Sequence, residues 1–309
     1  MSWFSIALTA YALLAFVNII DKTLLGRFIK DPRAYTFLVG ACGLLAIVLA
    51  PFGFHLLPWN LLQVALIAGV WQFLALHWFF RALRIGEVSR VIPLIGGGVP
   101  LFTTLLAHWL LGNTFHIFSL LAIILLTLGG VVIVYVPTEH HWWSSLIQRF
   151  RHHRRHQYLI LAVASAFSFA LSFTLSKFVF DASDFVTGFI WVRIGTFLAS
   201  CSLLLIPSVR SHLHHTLTHF LSSTGALFAG NQLLGAIVIV LQSYAIALGN
   251  VAYVQALQGV QFAFVFIAAL IASVITPHLL REYLTSRVLI EKSIALALIT
   301  IGTAMLALL

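Results

Sequence analysis

The stretch that decides the fold is "VIPLIGGGVP" at residues 91–100, within a largely apolar run that extends from Val91 to Leu111. Glycine and proline weaken helix interiors more than other residues do. Yet the run has the length of roughly 20 residues that a helix needs to cross a hydrocarbon core of about 30 Å. Backbone groups freed by a proline are tolerated there only against protein or water, and glycines let helices approach closely. The stretch predicts a bent transmembrane helix that lines either a cavity or a tight packing seam.

Composition places the whole chain in the membrane. Of its 309 residues, 61% are hydrophobic and 8% are charged, which is more apolar than soluble domains are. Ten apolar runs are long enough to span a bilayer: 2–20, 35–51, 59–80, 91–111, 115–136, 158–180, 185–206, 223–248, 251–276 and 288–309. The first lacks the basic flank and cleavage site of a signal peptide, so it is predicted to be a true span. The predicted fold is an all-α membrane protein of ten helices.

The longest polar segment, at 137–157, divides these runs into two groups of five. We therefore predict two five-helix units, at 1–136 and 158–309, joined by a basic linker rich in His and Arg. Tryptophans and arginines in this linker suit an anionic lipid surface. Arginine-flanked histidines without a cysteine or carboxylate nearby make a poor zinc site, so neither a metal nor a cofactor is expected.

The basic residues predict the topology. All of the 17 Lys and Arg residues except Lys177 and Arg193 lie in or beside odd-numbered connections between the spans. The positive-inside rule then places those connections in the cytoplasm and both termini outside, in a multi-pass cytoplasmic (inner) membrane protein. The net charge of +9 is accordingly read as an orientation signal for the lipid bilayer, and no nucleic-acid partner is expected.

The two halves resemble each other. Residues 82–100 align with 245–263, residues 126–134 align with 299–308, and residues 19–26 align with 174–181. A repeat of five spans must enter the membrane in opposite orientations, and inverted repeats are typical of secondary transporters. Alternating access by such a carrier is therefore the predicted mechanism.

These motifs resemble a known family. The "ALRIGEVSRVIPL" entry into the fourth span, the "LTLGG" and "ITIG" glycine helices, and the two five-helix units are similar to the EamA family of the drug/metabolite transporter superfamily. The resemblance implies a permease or exporter of a small metabolite or drug. Many members carry an acidic residue after the fourth helix of a repeat, where this chain has Asn113. "FIWVRIGTFLAS", with Arg193, resembles the family's arginine-bearing second helix.

Polar residues and glycines inside the spans are the candidates for a substrate cavity, because polar groups are costly in hydrocarbon and tend to face a pathway or a partner helix. The candidates are Asn18, Gln72, His77, Trp78, Pro93, Gly96, Gly97, Gly98, Arg193, Asn231, Gln232, Tyr244, Gln255, Gln258 and Gln261. For each polar residue the alternative is an interhelical hydrogen bond. For the glycines it is a packing seam.

The charged residues and motifs of the spans limit the possible functions. Every carboxylate falls at a span end or in a loop, so the ion-coupling candidates are Asp21, Lys22, Lys177 and His108, and coupling stays open. The spans contain neither paired carboxylates nor an H-E-x-x-H motif, which argues against an enzyme. A carrier of a small polar or amphipathic solute is expected, as a monomer or a homodimer. A lipid or polyprenyl-phosphate flippase of the same fold is the alternative.

Overall fold

A computed structural model describes residues 2–27, 31–85, 88–134, 145–218, 223–264 and 286–308, and within them every regular element is a helix. The helices are α1 Trp3–Arg27, α2 Pro32–Cys42, α3 Trp59–Ile85, α4 Val88–Leu111, α5 Ile117–Val134, α6 Ser145–Ala182, α7 Phe185–Cys201, α8 Pro207–Thr218, α9 Ser223–Leu248, α10 Val251–Ala256, α11 258–264 and α12 Ser286–Ala307. Two of them tighten into 3-10 geometry at their ends: α2 continues through Gly43–Phe52, and α7 continues through Ser202–Leu205.

Six stretches of helix are long and apolar enough to cross a membrane. They are Pro32–Phe52, Trp59–Ile85, Leu94–Leu111, Gln157–Ala182, Phe185–Leu205 and Ala226–Leu248. Three shorter apolar helices accompany them, at Trp3–Asn18, Ile117–Val132 and Ser293–Ala307. The all-α prediction is confirmed for the described residues, and the chain is a multi-pass membrane protein. The ninth predicted span is described only as far as residue 264.

Capping residues begin several of the helices. Asp31 accepts a hydrogen bond from the Arg33 amide at 2.8 Å at the start of α2, and Asp184 accepts one from the Thr187 amide at 2.9 Å at the start of α7. Each carboxylate satisfies an amide that the helix leaves free and lies near the positive end of the helix dipole. These two acidic residues at span ends therefore have structural roles.

The predicted linker is partly helical, and a break between helices occurs within the ninth span. Helix α6 begins at Ser145, so the second part of the predicted linker already belongs to the helix, while residues 137–144 and the side chains of the His/Arg run lie outside the described residues. Helix α4 runs unbroken from Val88 to Leu111 despite its prolines. The interruption lies instead in the ninth span, at Leu257 between α10 and α11.

The three glycines of α4 meet three different helices. A Cβ at Gly96 would lie 2.3 Å from Cζ of Phe262 on α11, and one at Gly97 would lie 2.7 Å from a methyl of Val131 on α5. At Gly98 the nearest side-chain atom, on α6, would be 2.9 Å away. Because no room remains for a side chain, α4 packs closely on three sides.

The remaining packing leaves space at the centre. Helix α3 lies along α6 and α7, α4 lies along α5 and α6, α1 lies along α9, and α5 lies along α12. Contact between α2 and α9 is slight, and the central cavity lies on that side.

Candidate functional site

A cavity of about 510 Å³ lies among α1, α2 with its 3-10 continuation, α3, α4, α6, α7, α9, α10 and α11. Pockets that hold drug-sized molecules typically measure about 300–1,000 Å³. Its wall is mainly aliphatic and aromatic, and polar groups interrupt it at a few positions. Such a wall suits a ligand whose surface is partly apolar.

Nine of the predicted residues line this cavity. They are Asn18, Gln72, Gly96, Arg193, Asn231, Gln232, Gln255, Gln258 and Gln261. They come from both halves of the chain, so only the tertiary fold brings them together.

Five other predicted site residues are not among the described residues that line the cavity. Gly97 and Gly98 face α5 and α6, and the Tyr244 ring packs against Phe185 with 5.1 Å between ring centroids. His77 and Trp78 are not among the described lining residues, and the side chain of Pro93 lies outside the described part of the chain. Successive helix residues point about 100° apart, so the face of α4 that lines the cavity includes Ile92, Ile95, Gly96 and Val99 but not Gly97 or Gly98.

Two of the three basic coupling candidates also lie elsewhere. Lys177 forms an ion pair with Asp181, one helical turn further on, with a distance of 2.8 Å from Nζ to Oδ1. His108 lies at the end of α4, with its Nδ1 2.8 Å from the carbonyl oxygen of Asn113. The side chain of Lys22 lies outside the described residues. Of the four candidates, Asp21 is the one whose side chain the structure places at the cavity.

Arg193 is the one cation among the described residues that line the cavity. Its side chain, on α7, is only 7% exposed, and its Cζ lies 5.1 Å from the centroid of the Phe189 ring. Its Nε is buried without a hydrogen-bond partner, and the described residues provide no ion pair for the guanidinium. An unpaired buried charge is costly. The arrangement therefore favours an anion in the cavity next to Arg193.

Asp21 lies at the α1 side of the cavity and is held by neutral donors. Its Oδ1 accepts hydrogen bonds from the hydroxyl of Tyr35 on α2 and from Nδ2 of Asn231 on α9, the latter at 2.6 Å. These bonds join three helices through one carboxylate. Sequence reasoning missed Tyr35, because a tyrosine near a span end is usual at membrane interfaces.

A tyrosine behind the wall organises two of the cavity glutamines. The fully buried Tyr11 hydroxyl donates to Oε1 of Gln255 at 3.1 Å and accepts from Nε2 of Gln242 at 3.1 Å. Gln258 and Gln261, which follow on α11, each have a side-chain oxygen that no described residue satisfies. These oxygens can accept a hydrogen bond only from a donor group of a ligand.

Replacing Tyr11 with phenylalanine is expected to lower stability by about 1–3 kcal/mol, because both glutamine amides would lose a buried partner. Thermal unfolding of the purified variant in detergent measures this effect. Tyr253→Phe is the matched control, since that hydroxyl donates to Oγ of Ser119 at 2.8 Å in a half-buried position. Equal melting temperatures for the two variants would contradict a special role for Tyr11.

Comparisons with known proteins give a fold and no family. No family model and no curated protein matches the chain. Among 24 matching chains of solved structures, one described only as "Crystal structure of protein" superposes with a TM-score of 0.65 and 17% sequence identity. The match covers 99% of this chain and 96% of the other. It shows the fold alone.

Proposed function

We propose that this protein is a secondary active carrier that moves a small anionic or amphipathic solute across the cytoplasmic membrane by alternating access. The observation that carries the proposal is the central cavity, in which the buried guanidinium of Arg193 lies without an anionic partner among the described residues. A buried cation without an ion-pair partner lowers stability, so its presence in a mainly apolar cavity is better explained by ligand binding than by structural stabilisation. The sequence resemblance to EamA transporters supports the same function.

The contact between α5 and α12 supports a ten-helix inverted repeat. A Cβ at Gly129 would meet Cγ1 of Ile299 at 2.7 Å, and a Cβ at Gly302 would meet Cγ of Leu126 at 2.8 Å. The sequence alignment of the halves pairs Gly129 with Gly302 and Leu126 with Ile299. Reciprocal contacts of this kind arise when two equivalent elements are related by a two-fold axis.

Two corresponding helix pairs are packed differently, which supports alternating access. Helices α3 and α7 touch backbone to backbone, since a Cβ at Gly69 would lie 2.4 Å from the Val192 carbonyl oxygen. In the repeat, α9 and α2 correspond to this pair. A Cβ at Gly230 on α9 would meet no described atom within 4 Å, and one at Gly235 would meet a methyl of Val17 at 3.9 Å. A carrier would exchange the closed and open pairs as it changes state.

The geometry favours a solute carrier over the other functions considered. Asp21 is the only carboxylate among the described cavity-lining residues, so these provide no acid–base pair for hydrolysis. A lipid with two acyl chains is too large for a cavity of about 510 Å³. A flippase would have to leave both acyl chains of its lipid outside the cavity.

A ligand screen tests the proposal before the substrate is identified. Purified protein is screened for thermal stabilisation by organic anions, because a ligand that binds only the folded state raises the melting temperature. Each stabilising compound is then tested for counterflow in proteoliposomes. Exchange of labelled solute that Arg193→Gln abolishes is the expected result. Stabilising anions that never cross the membrane would refute a carrier.

Asp21→Asn is expected to uncouple this carrier from the proton gradient. The carboxylate bonds to α2 and α9 through neutral donors, so protonation would weaken a link between helices that must move. The variant should still exchange solute in counterflow, but a pH gradient should no longer drive accumulation. Uptake with and without an imposed gradient measures this. Gradient-driven accumulation by Asp21→Asn equal to that of the wild type would exclude Asp21 from coupling.

A further inference from the structure

One edge of the cavity is open and aliphatic. Leu45 and Val48, on the 3-10 continuation of α2, line the cavity and are 48% and 70% exposed. Across from them, Leu233 and Ile237 on α9 also line it and are 60% and 46% exposed. Arg193, deeper in the same cavity, is almost fully buried. The cavity therefore opens between α2 and α9.

This opening lies along the spans. Leu45 and Val48 belong to the apolar stretch Pro32–Phe52, and Leu233 and Ile237 belong to Ala226–Leu248. These four residues, which form the rim of the opening, are all aliphatic. An opening that faced water would be expected to carry polar side chains. An aliphatic gap between two spanning helices faces lipid tails.

From this opening we infer that substrates enter sideways from the bilayer, and that the cavity takes a single-chain amphiphile with a carboxylate head. The carboxylate would bind Arg193, whose guanidinium presents donors in a geometry that fits a carboxylate. Nε2 of Gln255, a buried donor that no described residue satisfies, would donate to the same carboxylate. The tail would lie against the aliphatic wall and extend toward the gap.

The size and charge of the site favour this class of substrate. A volume of about 510 Å³ suits one chain with a small head, and Arg193, the single cation among the described lining residues, suits a monoanion. The one carboxylate among them, Asp21, is already hydrogen-bonded by Tyr35 and Asn231. The inference rests on the proposed carrier function and narrows its substrate. It also predicts that side chains at the rim control the rate of entry without contacting the head group.

Dodecanoate is the probe for this inference. Saturable binding of radiolabelled dodecanoate is measured on the full chain in lipid nanodiscs, with empty nanodiscs subtracted. Unlabelled butyrate has the same head group but a shorter chain. It should compete at least about 100-fold more weakly, because it transfers fewer methylene groups from water into the cavity. Dodecyltrimethylammonium has the same tail and should not compete. Arg193→Gln should weaken dodecanoate binding at least about tenfold.

The entrance is tested with bulky rim residues. Val48→Trp and Ile237→Trp together should slow dodecanoate association severalfold with little change in the melting temperature. Leu105→Trp is the matched control, because Leu105 is 60% exposed on α4 and is not among the described lining residues. Equal association rates for the double variant and the control would overturn lateral entry. Equal competition by unlabelled butyrate and unlabelled dodecanoate would overturn the inference that the cavity binds a single-chain amphiphile.

Counterflow in the same preparation separates this inference from the proposed function. If a water-soluble anion exchanges across the membrane while dodecanoate does not bind, the amphiphile inference fails and the carrier stands. If dodecanoate binds through Arg193 but no solute exchanges across the membrane, the proposed carrier function is wrong and the inferred binding site is supported.

Discussion

Gly69→Ala is expected to destabilise the protein by at least about 1–3 kcal/mol, the usual cost of overpacking a well-packed core. The added Cβ would lie 2.4 Å from the Val192 carbonyl oxygen and 2.5 Å from the Thr196 amide nitrogen. Both are backbone atoms, which cannot move aside as a flexible side chain can, so α3 and α7 must separate. Gly195→Ala should act in the same way, because its Cβ would meet the Leu66 carbonyl oxygen at 2.7 Å.

The control for this prediction is Gly230→Ala on α9. A Cβ there meets no described atom within 4 Å, so the substitution should leave stability unchanged or raise it by about 0.5–1 kcal/mol through improved helix propensity. Melting temperatures of Gly69→Ala, Gly195→Ala and Gly230→Ala, measured in the same detergent, test whether α3 and α7 are in close contact. If Gly69→Ala melts at the same temperature as Gly230→Ala, α3 and α7 are not packed as described.

Arg193→Gln is expected to weaken anion binding about 10- to 100-fold while the melting temperature stays the same or rises. A charge-assisted hydrogen bond contributes about 1.5–3 kcal/mol, and about 1.4 kcal/mol corresponds to a factor of ten. Stability should not fall, because the substitution removes a buried charge that has no ion-pair partner among the described residues. Opposite effects on binding and stability distinguish a binding residue from a structural one.

Arg193→Lys and Arg84→Gln complete the test. Lysine keeps the charge but loses the paired donors of the guanidinium, so binding should be intermediate. Arg84 is exposed at the end of α3 and serves as a charge-matched control that should bind normally. A large loss of stability in Arg193→Gln, with anion affinity retained, would make Arg193 structural.

The membrane class and much of the polar content of the cavity can be predicted from sequence for a simple physical reason. Hydrocarbon excludes polar groups, so Gln72, Arg193 and Gln255 stand out within apolar runs and must face something polar. The structure places all three at one cavity.

The remaining site features depend on how each helix is rotated. Gly96 and Gly97 are adjacent in sequence, yet Gly96 lies at the cavity wall against Phe262 of α11 while Gly97 faces α5. Tyr11 is one of several hydroxyl residues in a mostly apolar helix, and only its tertiary contact with Gln255 reveals its role. The 3-10 geometry of Gly43–Phe52 is likewise not predicted from the sequence.

Accessibility of Gln258 from the two sides of the membrane tests the central claim, alternating access, most directly. Gln258 lines the cavity, and the chain has only two cysteines, Cys42 and Cys201, which are first replaced by serine. Gln258→Cys in this background is treated with a membrane-impermeant thiol reagent from either face of sealed vesicles. Alternating access predicts labelling from each face in turn, while the membrane stays impermeable to the reagent. Labelling from one face only, under all conditions, would contradict it.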